Sequence, residues 1–233
     1  MRRVWITRAQ PGAEATAARV RALGLEPLVE PLLEVRPLSP GPIDLTGVGA
    51  LAFTSANAVR AFTPRSAERG LPVFAVGTAT AAAAREAGYA EVRSGEGDVR
   101  RLGELITDQQ NTFEGALLHP SAAEPAGDLV GALTAAGLQA VRLALYETVT
   151  RRPDAALIEA LPSLPFVLLH SPRGARALAD VLVRRPVSGL TALCLSPAVA
   201  GPLTGAELAA VRVAAGPSEA ALIDLLNACA PMA

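Results

Sequence analysis

Lysine is absent from this 233-residue chain, and all 21 basic residues are arginine. Arginine stays protonated and cannot supply the neutral amine that a Schiff base requires. Pyridoxal-phosphate chemistry, Schiff-base aldolases and lysine-dependent phosphate loops are therefore excluded. Histidine is almost as scarce, with only His119 and His170, and the two cysteines, Cys194 and Cys229, stand far apart without a Cys-x-x-Cys pattern. They read as a reduced core residue and a tail residue, not as a disulfide. With so few ligands no metal site is expected. Net charge is −1 and aromatics make up 3% of the chain, so scattered arginines form no stripe for nucleic acid. No run of about 18 apolar residues occurs, so no segment is expected to cross a bilayer. The N-terminus runs straight into a short apolar strand, unlike a signal peptide, and the expected location is cytoplasmic. Catalytic signatures are missing too. Gly95-Glu96-Gly97-Asp98-Val99-Arg100 lacks the third glycine of a dinucleotide fingerprint, and neither a Gly-x-Ser-x-Gly elbow nor a phosphate loop is present.

What is present is a repeat. Hydrophobic residues make up 51% and charged residues 18%, enough for one large core or two small ones. Arg2 to Thr7 reads as a buried strand. It is followed by a helix through Leu23, with Ala13, Ala17, Val20 and Leu23 on one face and Gly24 as a left-handed cap. The pattern returns with a strand over Ala116–His119, a helix over Glu124–Ala136 and a cap at Gly137. Leu51–Asn57 matches Val167–Arg173, Phe74–Thr80 matches Leu193–Val199, and Glu91–Gly95 matches Arg212–Gly216. Each half alternates strand and helix with short apolar strands. That pattern calls for α/β architecture, a doubly wound parallel sheet with helices on both faces, twice over.

Two extended segments, Pro27–Arg36 and Val141–Thr150, each follow a helix-ending glycine by a few residues. A boundary near Asp108–Thr112 would follow the repeat register. Alternatively both segments cross between domains, one made of residues 1–36 and 147–233 and the other, inserted, of 37–146, with crossing strands at about 28–36 and 141–150. Periodicity alone leaves both open. In the crossing arrangement Tyr146 lies at the mouth of a cleft, where its phenol is a hydrogen-bond donor and weak general acid. Glu147 beside it is expected to point the opposite way. Ligands of parallel sheets gather at the carboxyl ends of strands. The candidate turns there carry Thr7-Arg8, Ser55 and Asn57, Gly77 with Thr78 and Thr80, Ser121, Ser171 with Arg173, and Ser196. His119 and His170 fit hydrogen-bonded spacers at strand ends better than general bases.

Taken in order, Thr7-Arg8 with Gly12, Phe53–Val59, Ala75–Ala81, Tyr146-Glu147-Thr148, Ser171-Pro172-Arg173 and the Ser196-Pro197 turn resemble the uroporphyrinogen-III synthase family over almost the whole chain. The resemblance implies two flavodoxin-like domains joined by a two-stranded β-ladder. It also implies closure of the substrate hydroxymethylbilane to uroporphyrinogen III, with ring D inverted, water lost, and neither metal nor organic cofactor. It makes Tyr146 the candidate for assisting hydroxyl departure. Arg8, Ser55, Asn57, Gly77, Thr78, Thr80, Ser171, Arg173 and Ser196 become candidates for binding a substrate that bears eight carboxylates. A monomer, in transient contact with the preceding pathway enzyme, is the expected state. His119-Pro120-Ser121-Ala122-Ala123-Glu124 departs from the family's usual glycine and arginine after that strand. The rival readings are a non-catalytic two-domain sensor that keeps the cleft, and a sugar- or nucleotide-binding enzyme on the same architecture.

Overall fold

The computed structural model describes residues 2–10, 12–38, 41–95 and 97–230. Strand β1 (Arg3–Ile6), helix α1 (Gly12–Ala22) and strand β2 (Glu26–Val29) come first, followed by strands β3 (Leu33–Pro37) and β4 (Val48–Phe53). Next are α2 (Ala56–Phe62), β5 (Val73–Ala75), α3 (Thr78–Glu86), β6 (Val92–Ser94) and α4 (Val99–Asp108). Strand β7 (Ala116–Ala122), helix α5 (Leu129–Ala135) and the long strand β8 (Ala140–Thr150) follow. The chain ends with α6 (Ala155–Ala160), β9 (Phe166–Leu169), α7 (Pro172–Arg184), β10 (Thr191–Cys194), α8 (Pro197–Ala200), β11 (Ala210–Val213) and α9 (Glu219–Cys229).

The chain divides into two compact units, Met1–Glu34 with Val149–Ala233, and Val35–Thr148. The first unit holds a sheet in the order β2-β1-β9-β10-β11, parallel throughout. Numbered along the chain within the unit this is 2-1-3-4-5, a flavodoxin-like order. The second holds β8-β7-β4-β5-β6, also parallel, with β3 added beside β8. Here β7 and β8 take the places of β1 and β2, while β4, β5 and β6 take those of β9, β10 and β11. The segments that repeat in the sequence thus occupy equivalent positions in the two sheets.

Because side chains alternate across a strand, each central strand feeds two cores. Val4 and Ile6 pack with Ala13, Ala17 and Val20 of α1 and with Leu222 and Leu226 of α9. Trp5, between them, joins Val167, Leu169, Ala175 and Leu178 on the opposite face. In the second unit Leu51 and Phe53 face α2 and α3, whereas Ala50 and Ala52 face α4 and α5. Each fully buried large apolar side chain contributes roughly 1.5–3 kcal/mol.

Glycine ends the helices where the repeat places it, with Gly24 at φ 72° and Gly137 at φ 87°. Three local expectations are revised. The helix assigned to Glu124–Ala136 starts only at Leu129, because Pro125 and Gly127 delay it and Asp128 caps it through Gly131 N–H at 2.9 Å. Strand β7 runs to Ala122, beyond His119. The crossing segment at 28–36 is not one strand: β2 and β3 lie in different sheets, separated at Glu30–Leu32. Pro31 has no N–H for a ladder. Its neighbours are used elsewhere, with Glu30 O accepting from Trp5 Nε1 at 2.8 Å and Leu32 N–H donating to Thr7 O at 2.9 Å.

Candidate functional site

In a doubly wound sheet the crevice for a ligand forms beyond the carboxyl ends of the strands, where strand order reverses. That reversal falls between β7 and β4 in the second unit and between β1 and β9 in the first. Arg8, Ser55, Asn57, Ser171 and Arg173 follow the strands at these two points, Gly77, Thr78, Thr80 and Ser196 follow the next strand of each sheet, and Tyr146 lies in β8.

In the second unit, Ser55 links β4 to α2 as its N-cap, and its Oγ accepts the Asn57 N–H at 3.1 Å. Such a cap stabilises a helix by about 1 kcal/mol. Burial pushes the Tyr146 phenol above its ordinary value, and the neighbouring Ser55 hydroxyl draws it partly back. Tyr146 therefore keeps its proton at neutral pH. Asn57 Oδ1 is used locally, accepting from Arg60 Nη1 at 3.2 Å.

Tyr146 owes its orientation to an irregularity in β8. Ser121 pairs with Ala144 but Ala122 pairs with Tyr146, so Leu145 is an extra residue. A bulge of this kind re-aims the side chains that follow it. Leu145 and Tyr146, consecutive in sequence, are both buried in the core against α2 and α3, and Tyr146 is only 5% exposed.

Gly77 is the N-cap of α3, with extended backbone and no side-chain cap. A Cβ at Gly77 would meet nothing within 4 Å, so the first amides of α3 are open to an acceptor. Thr78 is exposed at this end, whereas Thr80 is buried on the inner side of the helix. His119 is a buried spacer: its Nδ1–H donates to Ala52 O at 2.9 Å, and burial lowers its pKa. Ser121 is buried as well and donates to Ala122 O at 2.9 Å, so this turn presents no free serine.

In the first unit Arg8, a candidate for binding carboxylates, is paired within the protein. Its Nη1 donates to Glu219 Oε2 at 2.9 Å, and its guanidinium lies where a Cβ on Gly12 would come within 2.6 Å. Thr16 Oγ1 donates to Glu219 Oε1 at 2.6 Å, and His170 Nε2–H donates to Glu219 Oε2 at 3.1 Å. Burial alone would raise the Glu219 pKa, but the hydrogen bonds from His170 and Thr16 and the charge of Arg8 hold it at about 2. The resulting group of Arg8, Glu219, His170 and Thr16 is pre-arranged and internally neutralised. Glu219 escaped sequence reading, although an acidic residue after Ser218 in the first turn of α9 was its available signal.

Ser171 caps α7, accepting the Gly174 N–H at 3.1 Å, and does not join the Arg8 group. Arg173 lies in the first turn of the same helix. Ser196 starts α8 without a side-chain cap bond, so its hydroxyl is uncommitted to the helix. Among the described residues no group of three or more His, Cys, Asp or Glu side chains could hold a metal ion.

Residues 14–224 match a family model described as HEM4, uroporphyrinogen-III synthase HemD. The fold is similar to uroporphyrinogen-III synthetase from Helicobacter pylori, with TM-score 0.70 and 20% identity over 99% of this chain and 100% of that one. It is also similar to a mutant uroporphyrinogen III synthase from Thermus thermophilus, with TM-score 0.57 and 19% identity over 98% of this chain and 99% of that one. No curated protein matches the chain by sequence.

Proposed function

The chain belongs to the uroporphyrinogen-III synthase family, and from that premise we propose that it closes hydroxymethylbilane to uroporphyrinogen III in the cytoplasm, inverting ring D and releasing water. The observation that carries the site assignment is the buried Tyr146 phenol, whose pKa burial raises so that it keeps its proton. The pyrrole nitrogen lone pair expels the terminal hydroxyl as the C–O bond breaks. Tyr146 donates to the departing oxygen, so that the leaving group is water. The proton lost from the pyrrole carbon at ring closure restores the phenol. Because burial makes Tyr146 reluctant to ionise, its contribution lies at or below the lower end of general acid catalysis, about 10²-fold. Holding the reacting ends together supplies more of the acceleration than any proton donor.

In this reading the substrate carboxylates are met by the open amides at Gly77 and Thr78 and by the turns at Ser55, Ser171 with Arg173, and Ser196. Arg8 takes part as a fixed cation already paired with Glu219. Residues 1–36 with 147–233, and 37–146, serve as the two domains, and the enzyme works as a monomer in transient contact with the enzyme that supplies its substrate. The family match does not favour a non-catalytic sensor. The test couples the protein to enzymatic generation of hydroxymethylbilane and resolves the uroporphyrin isomers after oxidation. Isomer III is expected. Formation of isomer I alone, at the spontaneous rate, sinks the proposal.

A further inference from the structure

Two Arg-Arg-Pro triplets, Arg151-Arg152-Pro153 and Arg184-Arg185-Pro186, meet at a single pocket of about 590 Å³ within the first unit. The local structure explains how they meet. Ala177, Asp180, Val181 and Arg184 recur at helical spacing and share one face of α7. A residue before proline is pushed out of the helical region. Accordingly α7 ends at Arg184 and Arg185 adopts φ −140° and ψ 81°. The segment after β8 brings Arg151 and Arg152 to the same pocket, and its Arg151 N–H donates to Leu32 O at 2.9 Å.

The chemistry of the lining is one-sided. Four arginines line the pocket together with Ile158, Ala177 and Val181, and among the described residues Asp180 is its only carboxylate. Arg151 has a long contact with Glu30, 3.8 Å from Nη2 to Oε1. The side chains of Arg152, Arg184 and Arg185 make no ion pair among the described residues. In a chain whose net charge is −1, this is a local concentration of positive charge beside apolar surface. Guanidinium forks match the paired oxygens of carboxylates and phosphates, and apolar lining residues suit a ligand with a compact apolar frame. The volume is in the range of a small-molecule site.

We propose that this pocket is a binding site for a small polyanion, a molecule with two or more carboxylate or phosphate groups. The site shares no residue with the one assigned to the reaction. It is tested by isothermal titration of the full chain at low ionic strength, with benzene-1,3,5-tricarboxylate and inorganic pyrophosphate as probes and chloride matched for ionic strength. Saturable one-to-one binding of at least one probe is expected, weakening at least tenfold in Arg152→Ala/Arg184→Ala and unchanged in Arg19→Ala. Binding of the tricarboxylate alone identifies a carboxylate site, and binding of pyrophosphate alone a phosphate site. Failure of both probes to bind overturns the proposal, and so does binding that the double variant leaves intact. Circular dichroism of the double variant, whose two altered side chains are exposed, checks that its fold is retained.

Discussion

Replacing Glu219 by glutamine removes one charge from the Arg8 group while keeping its size, and the consequence depends on pH in a defined way. The Glu219 carboxyl is held at about 2 against an ordinary value of 4.5. A displacement of this size corresponds to roughly 3 kcal/mol at 1.4 kcal/mol per pH unit. Arg8 is 35% and Glu219 21% exposed, so solvent screening reduces this to about 2 kcal/mol. The folded-state value lies below the unfolded one. The stabilisation is therefore fully present above about pH 4.5 and is lost as pH falls towards 2. Urea unfolding of wild type and Glu219→Gln, followed by the fluorescence of the buried Trp5 in the same unit, measures the difference. The variant is expected to be about 2 kcal/mol less stable at pH 7, with the gap narrowing towards pH 2–3. Asp44 and Asp98, whose pKa values are also lowered by hydrogen bonds to backbone N–H groups, are common to both proteins and cancel in the comparison. A gap that is independent of pH, or below about 0.5 kcal/mol at pH 7, refutes the assignment of Glu219 as the anchor of Arg8.

Gly49→Ala would put a Cβ 1.9 Å from the backbone oxygen of Glu114, where β4 meets the start of β7, and neither backbone can yield. A loss of at least about 3 kcal/mol in urea unfolding followed by far-UV circular dichroism is expected, and a loss within 0.5 kcal/mol contradicts the close approach. Burial pushes the Cys194 thiol up to about 11, whereas Cys229 is partly exposed. In the native protein a disulfide reagent is expected to titrate Cys229 alone, with Cys194 reacting only after denaturation, and two fast thiols contradict this.

Much of the architecture can be read from the chain because apolar strands, capped helices and terminal glycines recur in the same order. Gly24 and Gly137 mark equivalent helix ends, and the matched segments occupy equivalent strands of the two sheets. Ser55, Ser171 and Gly77 were visible because helix starts constrain residue type strongly. The break at Pro31 was missed, since an extended segment reads the same whether its partners lie in one sheet or two. The bulge at Leu145 leaves no mark in residue type, as it depends on the register with β7. Glu219 lies 211 residues from Arg8 in sequence, and only the folded chain reveals the pairing. Arg8 in the sequence is a candidate for binding carboxylates, and its pairing with Glu219 becomes visible only in the fold.

We propose that Tyr146, aimed by the bulge in β8, delivers a proton to the departing hydroxyl. The most direct test of this proposal is the single-turnover rate of uroporphyrinogen III formation by Tyr146→Phe, which keeps the ring in the core and removes only the O–H. The variant is expected to be folded with an unchanged thermal midpoint, to form isomer III still, and to do so about 10–100-fold more slowly. A rate equal to that of wild type contradicts the proposal and leaves Tyr146 as a packing residue.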